Sequence, residues 1–171
     1  MDYLENTLPL QGQLRLAMRQ WASGIGVAAA AHDGALHGMT VSSFTSVSAD
    51  PPVVLVSLHK DTRTHELVLE SGAFGVTLLA ADQQELSDRF AGRLGHNEDR
   101  FSGLEWFTLV TGSPLLYGGL AVFDCRLKDS YDAVSTTVMF GEVVNARMSN
   151  RPEDKLQPLL YFNRDYRWLK E

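Results

Sequence analysis

The chain has one cysteine, Cys125, in 171 residues. An intrachain disulfide is therefore excluded, and nothing in the cysteine usage points to an oxidising compartment. No apolar run approaches the ~20 residues that a membrane-spanning helix requires. The opening MDYLENTLPLQGQ carries acids and no apolar core, which argues against a secretory leader. Basic residues are outnumbered, 15 Lys and Arg against 21 Asp and Glu, for a net charge of −6. A nucleic-acid backbone selects basic patches and an anionic membrane selects Lys/Arg runs, so neither is an expected partner. The sequence reads as that of a cytoplasmic protein.

Catalytic motifs are scarce too. The five histidines (His32, His37, His59, His65 and His96) show no H-E-x-x-H spacing, and a lone cysteine cannot build a cysteine-based zinc cluster, so no metal site is expected. The G-x-S-x-G elbow of many hydrolases is absent. Gly24-Ile25-Gly26-Val27-Ala28-Ala29 fits a loose dinucleotide fingerprint, but here it follows a helix and opens a strand. The pyrophosphate needs the opposite order, so that reading is rejected. Cys125 sits in the apolar segment AVFDCRL and reads as a small buried hydrophobe rather than a reactive thiolate.

What is present is ordinary globular composition, 44% hydrophobic and 21% charged. The length suits a single domain over residues 13–171 behind an N-terminal arm at 1–12. Leu14, Ala17, Met18 and Trp21 fall at helical spacing, with Ser23-Gly24 as the stop. Strands are expected at 25–31 and from 36, joined by the hairpin signal Asp33-Gly34. A third, at 53–58, contains VVLV and reads as buried on both faces. Thr62 caps a helix that Ser71-Gly72 ends, and Asp82 with Glu85 resembles a capping box for a helix reaching Phe90. Residues 91–103 are polar and glycine-containing and read as a loop; further strands are expected at 74–79, 107–110, 121–127, 138–148 and 159–162. Many strands, short turns and a few short helices favour a β-barrel or sandwich.

The most unusual stretch is HGMTVSSFTSVSADPP, residues 37–52, rich in hydroxyls and without charge until Asp50. Strand alternation sets Thr40, Ser42, Phe44, Ser46 and Ser48 on one face and Met39, Val41, Ser43, Thr45 and Val47 on the other. The first face offers neutral donors around one ring, which suits a phosphorylated, oxygen-rich heteroaromatic ligand. An edge strand made polar against aggregation would look the same.

HGMTVSSFTSVSADPPVVLVSL resembles the signature of the flavin reductase-like family, the small NAD(P)H:flavin oxidoreductases of two-component flavin monooxygenases, styrene monooxygenase reductases among them. The likeness continues through LRLAMRQWASGIGV, SGAFGVTLLAADQQELSDRFAG, DRF, GSPLL, AVFDCRL, FGEVV and PLLYFNRDY. It implies a mainly β fold, a Greek-key split β-barrel with a few short flanking helices, forming a homodimer that binds FMN or FAD. It also implies hydride transfer from NADH or NADPH to the flavin, which is supplied to a partner monooxygenase. Carried over by position, Thr40, Ser42, Ser43 and Phe44 would line the flavin's ribityl chain and ring, with Thr45 and Ser46 adding contacts. Ser57, His59, Lys60, Arg63 and Thr64 would approach the phosphate, Lys60 and Arg63 through their charge or else as solvated loop residues. Phe90, Arg93 and Phe101 would flank the loop that in relatives shapes the flavin's outer edge, with Phe90 and Arg93 as cofactor-binding candidates and Phe90 equally readable as a core anchor. The family's Gly-Asp-His is replaced here by Val134-Ser135-Thr136, so Thr136 or His96 is the candidate nicotinamide-side residue. A flavin-binding protein without efficient NAD(P)H oxidation is the alternative.

Overall fold

The computed structural model describes residues 7–93 and 99–169. The chain begins with helix α1 (Leu10–Ala17), prolonged by one 3-10 turn to Gln20. Strands β1 (Ser23–Gly24), β2 (Gly26–His32), β3 (Ala35–Val41), β4 (Thr45–Ala49) and β5 (Pro52–His59) follow. Helix α2 (Arg63–Ser71), strand β6 (Ala73–Leu78) and helix α3 (Gln84–Phe90) make up the middle. Beyond them come β7 (Trp106–Phe107) and β8 (Leu115–Leu116), then the long hairpin of β9 (Ala121–Ala133) and β10 (Thr136–Met148). Strands β11 (Leu160–Phe162) and β12 (Asp165–Arg167) end the described chain.

Seven strands form one antiparallel sheet in the order β3-β2-β6-β9-β10-β5-β4. Its two outer strands, β3 and β4, are consecutive in the chain, joined only by Ser42, Ser43 and Phe44. Laid flat, seven strands ~4.8 Å apart would separate those edges by roughly 29 Å. The link spans four Cα steps of ~3.8 Å, at most about 15 Å. The sheet must therefore curl until its edges nearly meet, giving a β-barrel split along one seam. Ser43 stitches the seam: its hydroxyl accepts the Ser57 N–H at 3.0 Å and donates to the Ser57 carbonyl at 3.2 Å. The split barrel with short helices expected from the sequence is the fold found.

Strand β2 shows how one segment serves two cores. Ala28 and Ala30 face the barrel interior with Val54, Val56, Leu58, Phe74 and Met139, while Val27 and Ala29 face a second cluster with Phe90, Phe101 and Leu159. Each fully buried aliphatic or aromatic side chain of this kind contributes ~1.5–3 kcal/mol. Helix α2 adds Leu67 and Val68 to the interior cluster. It starts where the Thr62 hydroxyl accepts the His65 N–H at 3.3 Å and stops at Gly72, whose φ of 65° suits a residue without a Cβ. Gly141 is required by packing, since a Cβ there would lie 2.5 Å from the Phe74 ring.

Several local expectations give way to tertiary structure. Ser23-Gly24 is not a helix stop but strand β1, paired with Tyr161 and Leu160. Helix α1 buries none of its residues, so its apolar stripe has no cover within the described chain. The start of α3 is closed by the Gln83 side chain, which accepts the Ala80 N–H at 3.0 Å, while Asp82 pairs instead with Arg151 at 2.8 Å. Strand β5 is buried throughout its inner face, while on the outer face Val53 is buried and Leu55 and Ser57 are half-buried. The expected strand at 107–110 stops at Phe107, because Val110 and Thr111 turn their N–H groups onto the buried Asp124 carboxylate at 2.6 and 2.9 Å. Strands β9 and β10 run on to a tip at Val134-Ser135, where cross-strand pairing holds polar residues that composition assigns to a loop.

Candidate functional site

The hydroxyl-rich stretch is not one continuous strand. It leaves one sheet edge at Val41 and joins the other at Thr45, and a bulge between Ser46 and Ser48 breaks the alternation again. Phe44 consequently packs against the interior cluster, its ring 5.0 Å from that of Phe123, and does not share a face with Thr40 and Ser42. Thr45 and Ser46 are exposed on β4, paired with Leu55 and Val54 of β5.

Thr40 and Ser42 line a hollow of about 170 Å3 with Ser87, Arg93, Tyr161 and Tyr166. A hydrogen-bond network builds its wall. The Thr40 hydroxyl donates to the Ser87 carbonyl at 2.6 Å, fixing β3 to α3. The Tyr166 hydroxyl donates to Asp88 at 2.8 Å and, 2.9 Å from the Ser87 hydroxyl, can accept from it in turn. Asp88 also holds Arg93 at 2.6 Å, and that guanidinium lies 5.7 Å from the centre of the Tyr166 ring. Burial pushes the Tyr166 phenol up, so it stays protonated at neutral pH. Ser42 makes no side-chain hydrogen bond among the described residues, leaving its hydroxyl to the hollow.

A second hollow of about 370 Å3 adjoins the first, sharing Thr40 and Ala91. Its wall includes His37, Asp61, Thr62, Arg63, Phe90 and Arg100. Arg100 donates to the carbonyls of Gly38 at 2.9 Å and Phe90 at 2.8 Å and meets no carboxylate among the described residues. His37 shares a proton with the Thr64 hydroxyl at 2.7 Å. Burial, reinforced by Arg100 and Arg63, holds His37 below the usual histidine value, so the ring is neutral at pH 7. An anion is favoured at such a wall, and the neutral hydroxyls of the first hollow suit the polyol and ring of the same ligand. The donor set therefore fits a flavin phosphate.

The remaining sequence candidates divide. Ser43 is spent on the seam, Thr64 on His37, and Phe90 is wholly buried in the second core cluster, edge-on to Phe101 at 5.0 Å. Lys60 is paired with Asp132 at 2.6 Å and Arg63 with Glu66 at 2.8 Å, so both cations are partly neutralised. His59 contacts Asp61 at 2.5 Å and stands opposite Thr136 across β5 and β10. Thr136 thus lies at the end of β5 that leads into the second hollow. His96 lies outside the described residues. Cys125 is fully buried, and burial pushes its thiol up to about 12, in keeping with an inert side chain.

Sequence reasoning missed Ser87, Tyr161, Tyr166, His37 and Arg100. All five lie inside segments that carry the family likeness, but no local spacing marks them. Ser87 and Tyr166 meet across 79 positions of chain.

The chain belongs to the family of flavin reductase like domains, whose model matches residues 18–170. The NADH-dependent flavin reductase StyB of Pseudomonas fluorescens is 39% identical over 155 residues, covering 89% of this chain and 86% of that protein. The structure of the styrene monooxygenase flavin reductase of Pseudomonas putida superposes with a TM-score of 0.81 at 35% identity, over 93% of this chain and 98% of that one. An NADH:FAD oxidoreductase of Streptomyces globisporus, solved with NAD and FAD fragments, superposes with a TM-score of 0.85 at 29% identity over 98% of both chains.

Proposed function

We propose that the protein is an NADH-dependent flavin reductase that supplies reduced flavin to a partner monooxygenase. The observation that carries this reading is the pair of adjoining hollows at the barrel seam, neutral and hydroxyl-lined at Thr40 and Ser42, cationic at Arg100 and, partly offset by Glu66, at Arg63. Bound flavin supplies the redox chemistry, accepting a hydride from reduced nicotinamide. The chain's own residues would bind and orient: Ser42 would offer its hydroxyl and Thr40 its acceptor oxygen, Arg93 and Tyr166 would close one side, and Arg100, with Thr62 at the start of α2, would meet the phosphate. Thr136 and His59 stand where the nicotinamide would approach. The relatives' names support NADH as donor, and the same cavity accepts FMN or the flavin half of FAD.

A homodimer belongs to the same proposal. Leu10 and Leu14 of α1 and Met18 of the turn that prolongs it are exposed at 77%, 60% and 54%. The outer face of the sheet carries half-buried Leu55, Val138 and Phe140, which share that face by strand register. Apolar surface of this kind is covered by a second copy more economically than by water. No described helix is long and apolar enough to cross a membrane, and a cytoplasmic location agrees with the consumption of NADH.

The test is direct. Purified protein is mixed with FMN or FAD and NADH, and the loss of NADH absorbance is followed. Turnover well above that of free flavin is expected. A rate equal to free flavin, with flavin bound, would overturn the reductase reading in favour of a flavin carrier.

A further inference from the structure

A third cavity, of about 240 Å3, lies between α1 and the β11–β12 hairpin. Its wall brings together Arg15, Arg19 and Arg164 with Met18, Trp21 and Tyr161. The Asn163 N–H ties its two sides, donating to the Arg19 carbonyl at 2.9 Å. It shares no lining residue with the hollow of Arg63 and Arg100, so it stands apart from the place assigned to the flavin phosphate.

Three observations single it out. No Asp or Glu lines it, and its arginines form no ion pair among the described residues, whereas Lys60, Arg63, Arg93, Arg151 and Arg167 all meet carboxylates. The Nε of Arg19 is buried and has no hydrogen-bond partner. A buried charged donor left without an acceptor is costly, and an incoming oxyanion would relieve it. Asn163 and Arg164 form the hairpin turn with φ of 50° and 65°, a left-handed backbone for which glycine is the unstrained choice. The turn instead keeps a guanidinium at this cavity.

The cavity has a second, aromatic half. Trp21 is 68% exposed, and Tyr161 is half-buried, edge-on to Tyr166 with ring centres 5.5 Å apart. Unpaired guanidinium groups bind an oxyanion in forked geometry. An inorganic anion would leave the indole and phenol rings unused, whereas a flat ring would pack against them. The volume lies below the ~300–1,000 Å3 of pockets that enclose a drug-sized ligand, which limits the occupant to about one ring and its acid group. We propose that this cavity binds a single-ring aromatic carboxylate, the carboxylate on Arg15, Arg19 and Arg164 and the ring against Trp21 and Tyr161. Tyr161 also lines the hydroxyl-lined hollow, beside Arg93 and Tyr166. An occupant packed on Tyr161 fixes part of the wall of that hollow and so favours flavin binding. The site itself is independent of the reductase reading above; its linkage to flavin rests on that reading.

In the test, benzoate is titrated into the full-length protein by calorimetry, without flavin or NADH. Saturable binding is expected. Benzamide, which lacks the charge, and acetate, which lacks the ring, each bind more weakly by about tenfold or more. Arg15→Gln, and Arg164→Asn, which tolerates the left-handed backbone, each weaken benzoate by a similar factor. Thermal melts establish that both variants are folded. Saturating benzoate then tightens FMN, read by flavin fluorescence quenching, by about fivefold. No heat from benzoate, acetate or inorganic phosphate bound as tightly as benzoate, or equal benzoate affinity in wild type and both variants overturns the site. An FMN affinity unchanged or weakened by benzoate overturns the linkage. Since the first titration needs no flavin, its failure alongside intact NADH-dependent FMN reduction refutes this inference alone.

Discussion

Adjacent serines at the seam should have opposite phenotypes. Ser43 makes two hydrogen bonds across the split, to the N–H and the carbonyl of Ser57 at 3.0 and 3.2 Å. Ser43→Ala removes both and leaves the Ser57 N–H without its acceptor in a half-buried strand. At ~0.5–1.5 kcal/mol for each bond, the loss is roughly 2 kcal/mol. For a domain of this size that is a fall of about 4–8 °C in Tm. Ser42 is exposed and lines the hollow without a side-chain hydrogen bond to the described chain. Ser42→Leu should shift stability by no more than ~0.5 kcal/mol, as surface changes do, while filling the hollow and weakening flavin binding by at least about tenfold. Urea unfolding followed by circular dichroism measures the first effect, read from the midpoint at constant slope. Flavin fluorescence quenching measures the second. A Ser43→Ala variant as stable as wild type would refute the stitched seam, and unaltered flavin affinity in Ser42→Leu would refute the placement of the ligand.

Two further outcomes follow from buried and strained groups. Burial holds both His37 and His65 below the usual histidine value. Below about pH 6.5 the unfolded chain therefore takes up protons that the folded chain refuses, so stability is complete above that pH and falls on acidification. Tm should drop between pH 7.5 and 5.5, and His37→Gln or His65→Gln should flatten that drop; an equal drop in both variants would count against it. At the tip of the β9–β10 hairpin Val134 is 89% exposed with a φ of 64°. A left-handed conformation costs an L-residue ~1–2 kcal/mol, and glycine returns ~0.5–1 of that as chain entropy, so Val134→Gly should stabilise by about 0.5–1 kcal/mol. A lower unfolding midpoint in that variant would contradict the argument.

Elements whose determinants lie within a few residues were legible from sequence. Helix α2 is an instance, marked at one end by the Thr62 hydroxyl and at the other by Gly72. The seam was not, because alternation assumes a strand that keeps one neighbour. Chain continuity between opposite sheet edges broke the strand at Ser42, and the Ser43 side chain took over a backbone role. The strand at 107–110 failed for a related reason: Asp124, on β9, captured the N–H groups that a ladder would have used. In the candidate site, Thr40, Ser42, Arg63 and Arg93 were found because the hydroxyl stretch and the family likeness mark them. Tyr166, Ser87 and Arg100 were not, since each acquires its role only when α3 and β12 dock on β3.

The two outer strands of the seven-stranded sheet are neighbours in sequence. The three residues between them hold their native backbone only where the two edges of the curled sheet are brought together. A ligand seated on that link therefore recognises the completed sheet and no partly paired form of it. By mass action it adds ~2.7 kcal/mol to global stability at a hundredfold excess over its Kd. Occupancy of the seam then acts as a clasp on the whole barrel, and the empty protein is the form that proteases meet.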